Sequence, residues 1–171
     1  MGSHTRLILR GGLFAGLLGY ATVALFFAGL NLIAGRSIFH TAAMFGAALF
    51  YGLDDPARLE IAAGPVLSYN MVHALGFVAI GLLASWLVAK AEKYPVAQYG
   101  LFVALVFVVA HLYAGLLIFA RPLLGGDAWW QIGLASVAAA VVMGWYLLRQ
   151  HPLLRWELRH IDMGEAPPRG V

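Results

Sequence analysis

The chain has 171 residues, 62% of them hydrophobic and 11% charged, with a mean hydropathy of +0.82 and a formal net charge of +3. It is too apolar for a water-soluble domain, whose apolar share lies nearer half, so the natural solvent of such a surface is lipid. The few basic residues are spread along the chain instead of forming a nucleic-acid patch, and the absence of cysteine excludes disulfides, thiolate metal sites and thiol redox chemistry.

Arg6 and Arg10 precede the first charge-free run, residues 11–35. Basic residues before apolar sequence also open a signal peptide, but its core is only about 7–15 residues long, so this run reads as a membrane span. Three more charge-free runs follow, at 61–89, 94–120 and 128–148. Crossing a hydrocarbon core takes about 20 residues of helix. These Leu/Ala/Val/Phe runs lack the alternation of barrel strands, so the expected spans are helices at about 11–35, 65–89, 96–120 and 128–148. A shorter apolar segment, 37–52, carries His40 and leads into the polar turn Asp54-Asp55-Pro56.

The positive-inside rule decides whether 37–52 crosses. Four spans with a cytoplasmic N-terminus put Arg6, Arg10, Lys90, Lys93, Arg149, Arg155, Arg159 and Arg169 inside, and only Arg36, Arg58 and Arg121 outside. Five spans would reverse the bias, leaving only Arg6, Arg10, Arg58 and Arg121 inside. The expectation is therefore an all-α integral membrane protein with four helices in an up-down bundle and both termini cytoplasmic. Segment 37–52 is then a re-entrant or interfacial helix on the outer side. Trp86, Tyr94, Tyr99, Trp145 and Tyr146 fall near the inner boundary of this frame, and Tyr51, Trp129 and Trp130 near the outer one, as interfacial belts require. Residues 152–162 suit an amphipathic helix on the inner surface, where arginines meet anionic headgroups. The tail 164–171, with Pro167 and Pro168, is expected to be disordered. Small residues at Gly12 and Gly16, and a stripe of Gly133, Ser136, Ala140 and Gly144, mark faces where helix backbones can approach.

The chemistry-bearing residues are few. His73 lies eight residues past Pro65, and His111 ten residues before Arg121. At 1.5 Å per residue these are about 12 Å and about 15 Å from the outer ends of two antiparallel spans, so the two histidines share a depth. Tyr69, Asn70 and Gly76 neighbour His73, Gly115 neighbours His111, and Asn31 and His40 approach from the outer side. Three kinds of role fit. The polar groups can hydrogen-bond across helices and fix register. His73 and His111 can be the axial ligands of a b-type haem, with Tyr69, Asn70, Gly76 and Gly115 shaping its pocket, since haem iron accepts imidazole nitrogen. His40, His73 and His111 can together hold copper or zinc, or His40, Tyr69 and Asn70 can line a quinone pocket.

No Asp, Glu, Lys or Arg lies inside a span. That argues against an ion-coupled transporter, which keeps intramembrane carboxylates as relays, and the usual hydrolase and phosphate-binding motifs are missing. The resulting expectation is a small non-catalytic protein of the bacterial inner membrane. Its partners would be the bilayer and a larger respiratory or photosynthetic complex, against which it packs as an accessory or scaffold subunit, or further copies of itself. The alternatives are a haem b electron carrier and the metal or quinone site.

Overall fold

The structure, a computed structural model, describes residues 3–93, 118 and 128–151. Among these it is all-helical, with no strand. The helices are α1 (Ser3–Ile33), α2 (His40–Phe50), α3 (Ala63–Lys93) and α4 (Ala128–Gln150), with a short 3₁₀ turn at Pro56–Arg58. Three of them are long and apolar enough to cross a membrane, over Thr5–Ile33, Ala63–Ala91 and Trp129–Gln150. The expected third span at 96–120, the surface helix at 152–162 and the tail at 164–171 lie outside the described residues.

α1 and α3 extend beyond the expected spans, at the Arg6/Arg10 end and the Lys90/Lys93 end. Lipid limits where charge can sit but does not break a helix, so the extra turns carry the basic side chains past the hydrocarbon boundary. α1 stops at a Schellman cap. The Arg36 N–H donates to the Asn31 carbonyl (2.8 Å), the Gly35 N–H donates to the Leu32 carbonyl (3.0 Å), and Gly35 adopts φ +68°, a conformation open to glycine at little cost.

α1 is the hub of the fold. Along α3 its contacts run antiparallel. The Ser85 hydroxyl donates to the Ile8 carbonyl (3.0 Å), Gly12 faces Gly81 and Leu82, Gly16 faces Phe77 and Val78, and Tyr20 faces His73. A β-carbon on Gly12 would lie 2.6 Å from the Leu82 Cα, and one on Gly16 2.6 Å from the Val78 Cα. The backbones therefore touch, which is how membrane helices gain dispersion energy where water supplies no drive. On another side α1 meets α4, also antiparallel. Gly11 faces Gln150, Gly19 receives Met143, and Val23 packs with Ala135 and Ala139. α3 and α4 thus run parallel to each other, and Phe77, Ala84 and Val88 of α3 pack against the cluster that Met143 and Leu147 form with Ala15.

The buried face of α4 is Ile132, Ala135, Ala139, Met143 and Leu147. This is one position away from the small-residue stripe read from the sequence, on which Ala140 is exposed and a β-carbon at Gly144 would meet nothing within 4 Å. The reason lies in the facing helix. α1 supplies the holes as glycines, so α4 supplies the knobs, and Met143 and Leu147 cluster with Ala15. At the Arg6/Arg10 end, the Arg149 guanidinium sits 3.9 Å over the Trp145 ring and the Lys90 ammonium 5.7 Å from the Trp86 ring, cation–π contacts that hold each cation against an aromatic side chain.

Gly16→Ala is expected to destabilise the fold by about 1–3 kcal/mol, the usual cost of overpacking a rigid contact. Gly144→Ala should leave stability unchanged or slightly raised. Reversible unfolding in detergent micelles measures both, and equal losses at the two sites would refute the assigned packing faces.

Candidate functional site: a histidine ringed by aromatic side chains

Helical spacing stacks Tyr69, His73 and Phe77 along one line of α3, one turn apart. The His73 ring lies 5.0 Å from the Tyr69 ring at a 39° tilt and 5.0 Å from the Phe77 ring, edge to face. From α1, the Tyr20 ring meets His73 at 5.8 Å, also edge to face, the geometry that ring quadrupoles favour. The Tyr20 hydroxyl donates to Asn70 Oδ1 (2.9 Å), and Asn70 Nδ2 donates to the Val66 carbonyl one turn back (2.7 Å). From α2, Phe45 stacks on Tyr69 at 5.5 Å and 18°. Among the described residues no hydrogen bond engages His73.

Of the sequence-predicted site residues, the structure brings together His73, Tyr69 and Asn70. It leaves out Gly76, which is exposed and whose β-carbon would meet nothing within 4 Å. At 100° per residue, Asn70 and Gly76 lie about 60° to either side of His73. α1 occupies the Asn70 side, so Gly76 points away. His111 and Gly115 lie outside the described residues. No ring contact or hydrogen bond joins His40 to His73, and no group of three His, Cys, Asp or Glu gathers among the described residues. Asn31 makes its contacts with α2 and the turn before it, not with His73. The Thr41 hydroxyl donates to Asn31 Oδ1 (3.1 Å), Asn31 Nδ2 donates to the Ile38 carbonyl (3.4 Å), and both side chains are buried. This clasp ties α2 to the end of α1.

Sequence reasoning missed Tyr20 and Phe45. Tyr20 carried a signal, as a lone phenol inside the charge-free run 11–35, where a hydroxyl needs a partner. Phe45 carried none, because a phenylalanine in an apolar segment is unremarked until a tyrosine is placed against it.

His40, the first residue of α2, is held below its ordinary pKa by burial and, secondarily, by the nearby Arg36 charge. The cluster around His73 can orient an aromatic or carbonyl group, and an imidazole without a hydrogen-bond partner keeps a lone pair for a ligand. No family model matches the chain, and neither a curated protein nor a solved structure matches it.

The Tyr20–Asn70 bond is expected to contribute about 0.6–1 kcal/mol, in line with other intramembrane hydrogen bonds. A double-mutant cycle with Tyr20→Phe and Asn70→Leu reads that coupling directly, and additive single-mutant losses would show the bond to be energetically silent. His40 makes stability depend on pH with a definite sign. Its folded pKa is depressed, so its contribution is fully present above the ordinary value of 6.5 and is lost as pH falls below that value through the folded pKa. Unfolding between pH 7.5 and pH 5 should show this loss, and His40→Gln should flatten it.

Proposed function

We propose that the protein is a four-span subunit of the bacterial inner membrane, with both termini in the cytoplasm. Support for the fourth span comes from the direction of the described helices. α3 ends at Lys93 beside the Arg10/Gln150 end of the bundle, whereas α4 begins at the opposite end. Segment 94–127 must therefore return over the length of α4, about 34 Å at 1.5 Å per residue. Its charge-free part, 94–120, is long enough for that, and a backbone crossing lipid closes its hydrogen bonds as a helix. The basic residues favour a cytoplasmic location for the Arg6/Arg10 end. Reporters fused after Lys93 and after Asp127 should report opposite sides of the membrane, and one after Val171 the cytoplasm. The same side for the first two would remove the fourth span.

The role we infer is that of a non-catalytic accessory or scaffold subunit, packed against a larger respiratory or photosynthetic complex. One observation carries it. α4 uses Ile132, Ala135, Ala139, Met143 and Leu147 to pack on α1, so the small stripe through Ser136, Ala140 and Gly144 is turned away from that contact. Such a stripe lets a further helix approach closely. In mild-detergent extracts of native membranes the protein should migrate as part of a larger assembly. Gly144→Leu should release it while leaving its own melting temperature unchanged. A chain that migrates alone from native membranes would defeat this reading.

A second reading, a haem b electron carrier, is favoured by the His73 imidazole and its lack of a hydrogen-bond partner among the described residues. His73 and His111 would hold the iron of such a haem. A ligated haem supplies one-electron chemistry, and Tyr20, Tyr69 and Phe77 would hold the His73 ring in place. A Soret band in the purified protein, lost in His73→Ala, is the expected result; a colourless protein would end this alternative.

A further inference from the structure

The sequence leaves open whether α2 lies on the membrane or within the bundle, and three features of the helix decide it. The first is its composition: His40–Phe50 contains no Asp, Glu, Lys or Arg and has no polar face. A helix lying in the interface keeps a strongly polar side for water and headgroups, whereas a helix apolar all round belongs inside. The second is burial. Five consecutive residues, Ala43, Met44, Phe45, Gly46 and Ala47, are buried. At 100° per residue, five positions cover the whole circumference, so the middle of α2 is enclosed on every side. The third is its attachment. Thr41 is clasped by Asn31, Phe45 is stacked on Tyr69, and Gly46 lies against the Pro65 backbone so closely that a β-carbon there would come within 3.0 Å of the Pro65 Cα.

These contacts give α2 a definite place. It is about 16 Å long at 1.5 Å per residue, too short to cross, and it is wedged against the end of α1 and the first two turns of α3. The chain turns at Gly35 before it and at Gly52 after it, both with left-handed φ (+68° and +70°). Immediately below Phe45 and Tyr69 lies the His73 ring, joined by Tyr20 and Asn70. We propose that α2 is an intramembrane plug, closing one end of the bundle and shielding the Tyr20–Asn70–His73 centre from the aqueous phase on that side. Its attachments are the hydrogen-bonded clasp on Thr41, the Phe45–Tyr69 ring stack and the Gly46–Pro65 backbone contact.

The natural absence of cysteine makes this directly testable, and the test does not depend on the accessory role. His73→Cys in nanodiscs is treated with a hydrophilic, charged thiol reagent, with Tyr51→Cys as an exposed control. His73→Cys should react slowly, and adding Thr41→Val with Phe45→Ala should raise its rate about tenfold or more, while the control is fast in both backgrounds. If His73→Cys reacts as fast as the control in the intact background, or equally slowly in both backgrounds, α2 is not the barrier. Should His73→Cys fail to fold, Tyr20→Cys reports on the same centre from α1 with the same two outcomes.

Discussion

At Gly12 and Gly16, α1 lies so close to α3 that a side chain at either position would fall on the Cα of Leu82 or Val78. Membrane helices have little hydrophobic drive toward one another, since lipid tails are as apolar as leucine, so close backbone approach supplies much of their attraction. Here the contact also sets a register. With Gly12 opposite Gly81 and Gly16 opposite Phe77 and Val78, the Ser85 hydroxyl reaches the Ile8 carbonyl at one end. Two turns beyond Phe77, the Tyr20 hydroxyl reaches Asn70. Each of these hydrogen bonds is worth less than the packing beside it. Their effect is to penalise other registers, because a one-residue slip would strand a hydroxyl or an amide in hydrocarbon.

The same hub explains why α3 and α4 run parallel and meet mainly through side chains, Phe77, Ala84 and Val88 packing against the cluster of Ala15, Met143 and Leu147. α1 offers α3 a glycine surface and α4 a second surface of Gly11, Ala15 and Gly19, into which Met143 and Leu147 fit. Two parallel helices on either side of a common antiparallel partner cannot be joined by a short loop. The long connection between them, whose first 27 residues (94–120) are charge-free, is therefore a requirement of the packing as much as a feature of the sequence.

How far the sequence could be read follows from which forces act locally. Lipid excludes charge residue by residue, so the three long apolar helices were visible as charge-free runs, and the bounds differ by more than two residues only where α1 and α3 continue through basic turns. Tyr69 and Asn70 could be grouped with His73 because helical spacing alone places them nearby. That Gly76 lies on the flank of His73 turned away from α1 was not legible, because spacing does not say which flank faces α1. That the stripe on α4 lies one position off the face packed on α1 was not legible either, since that face depends on the glycines of a helix more than a hundred residues away in sequence. Tyr20 and Phe45 were missed because their partnership with α3 depends on inter-helix register, which only the folded backbone contains.

Three inter-element side-chain hydrogen bonds, Tyr20–Asn70, Thr41–Asn31 and Tyr51–Ser68, lie in the half of the bundle that contains α2, and Ser85–Ile8 lies in the other. The opposite half is held by glycine contacts and by Met143 and Leu147. A half fixed by backbone contact has essentially one arrangement, because glycine leaves nothing to repack. The α2 half adds hydrogen bonds and ring stacks to its own backbone contact, Gly46 on Pro65, and the hydrogen bonds are the part whose partners water or lipid headgroups can replace. The histidine lies at the junction between these two halves, with Phe77 on the rigid side and Tyr69, covered by Phe45, on the other. Whatever His73 does, its lower neighbours are fixed by α1, and its access is governed by how firmly α2 is held.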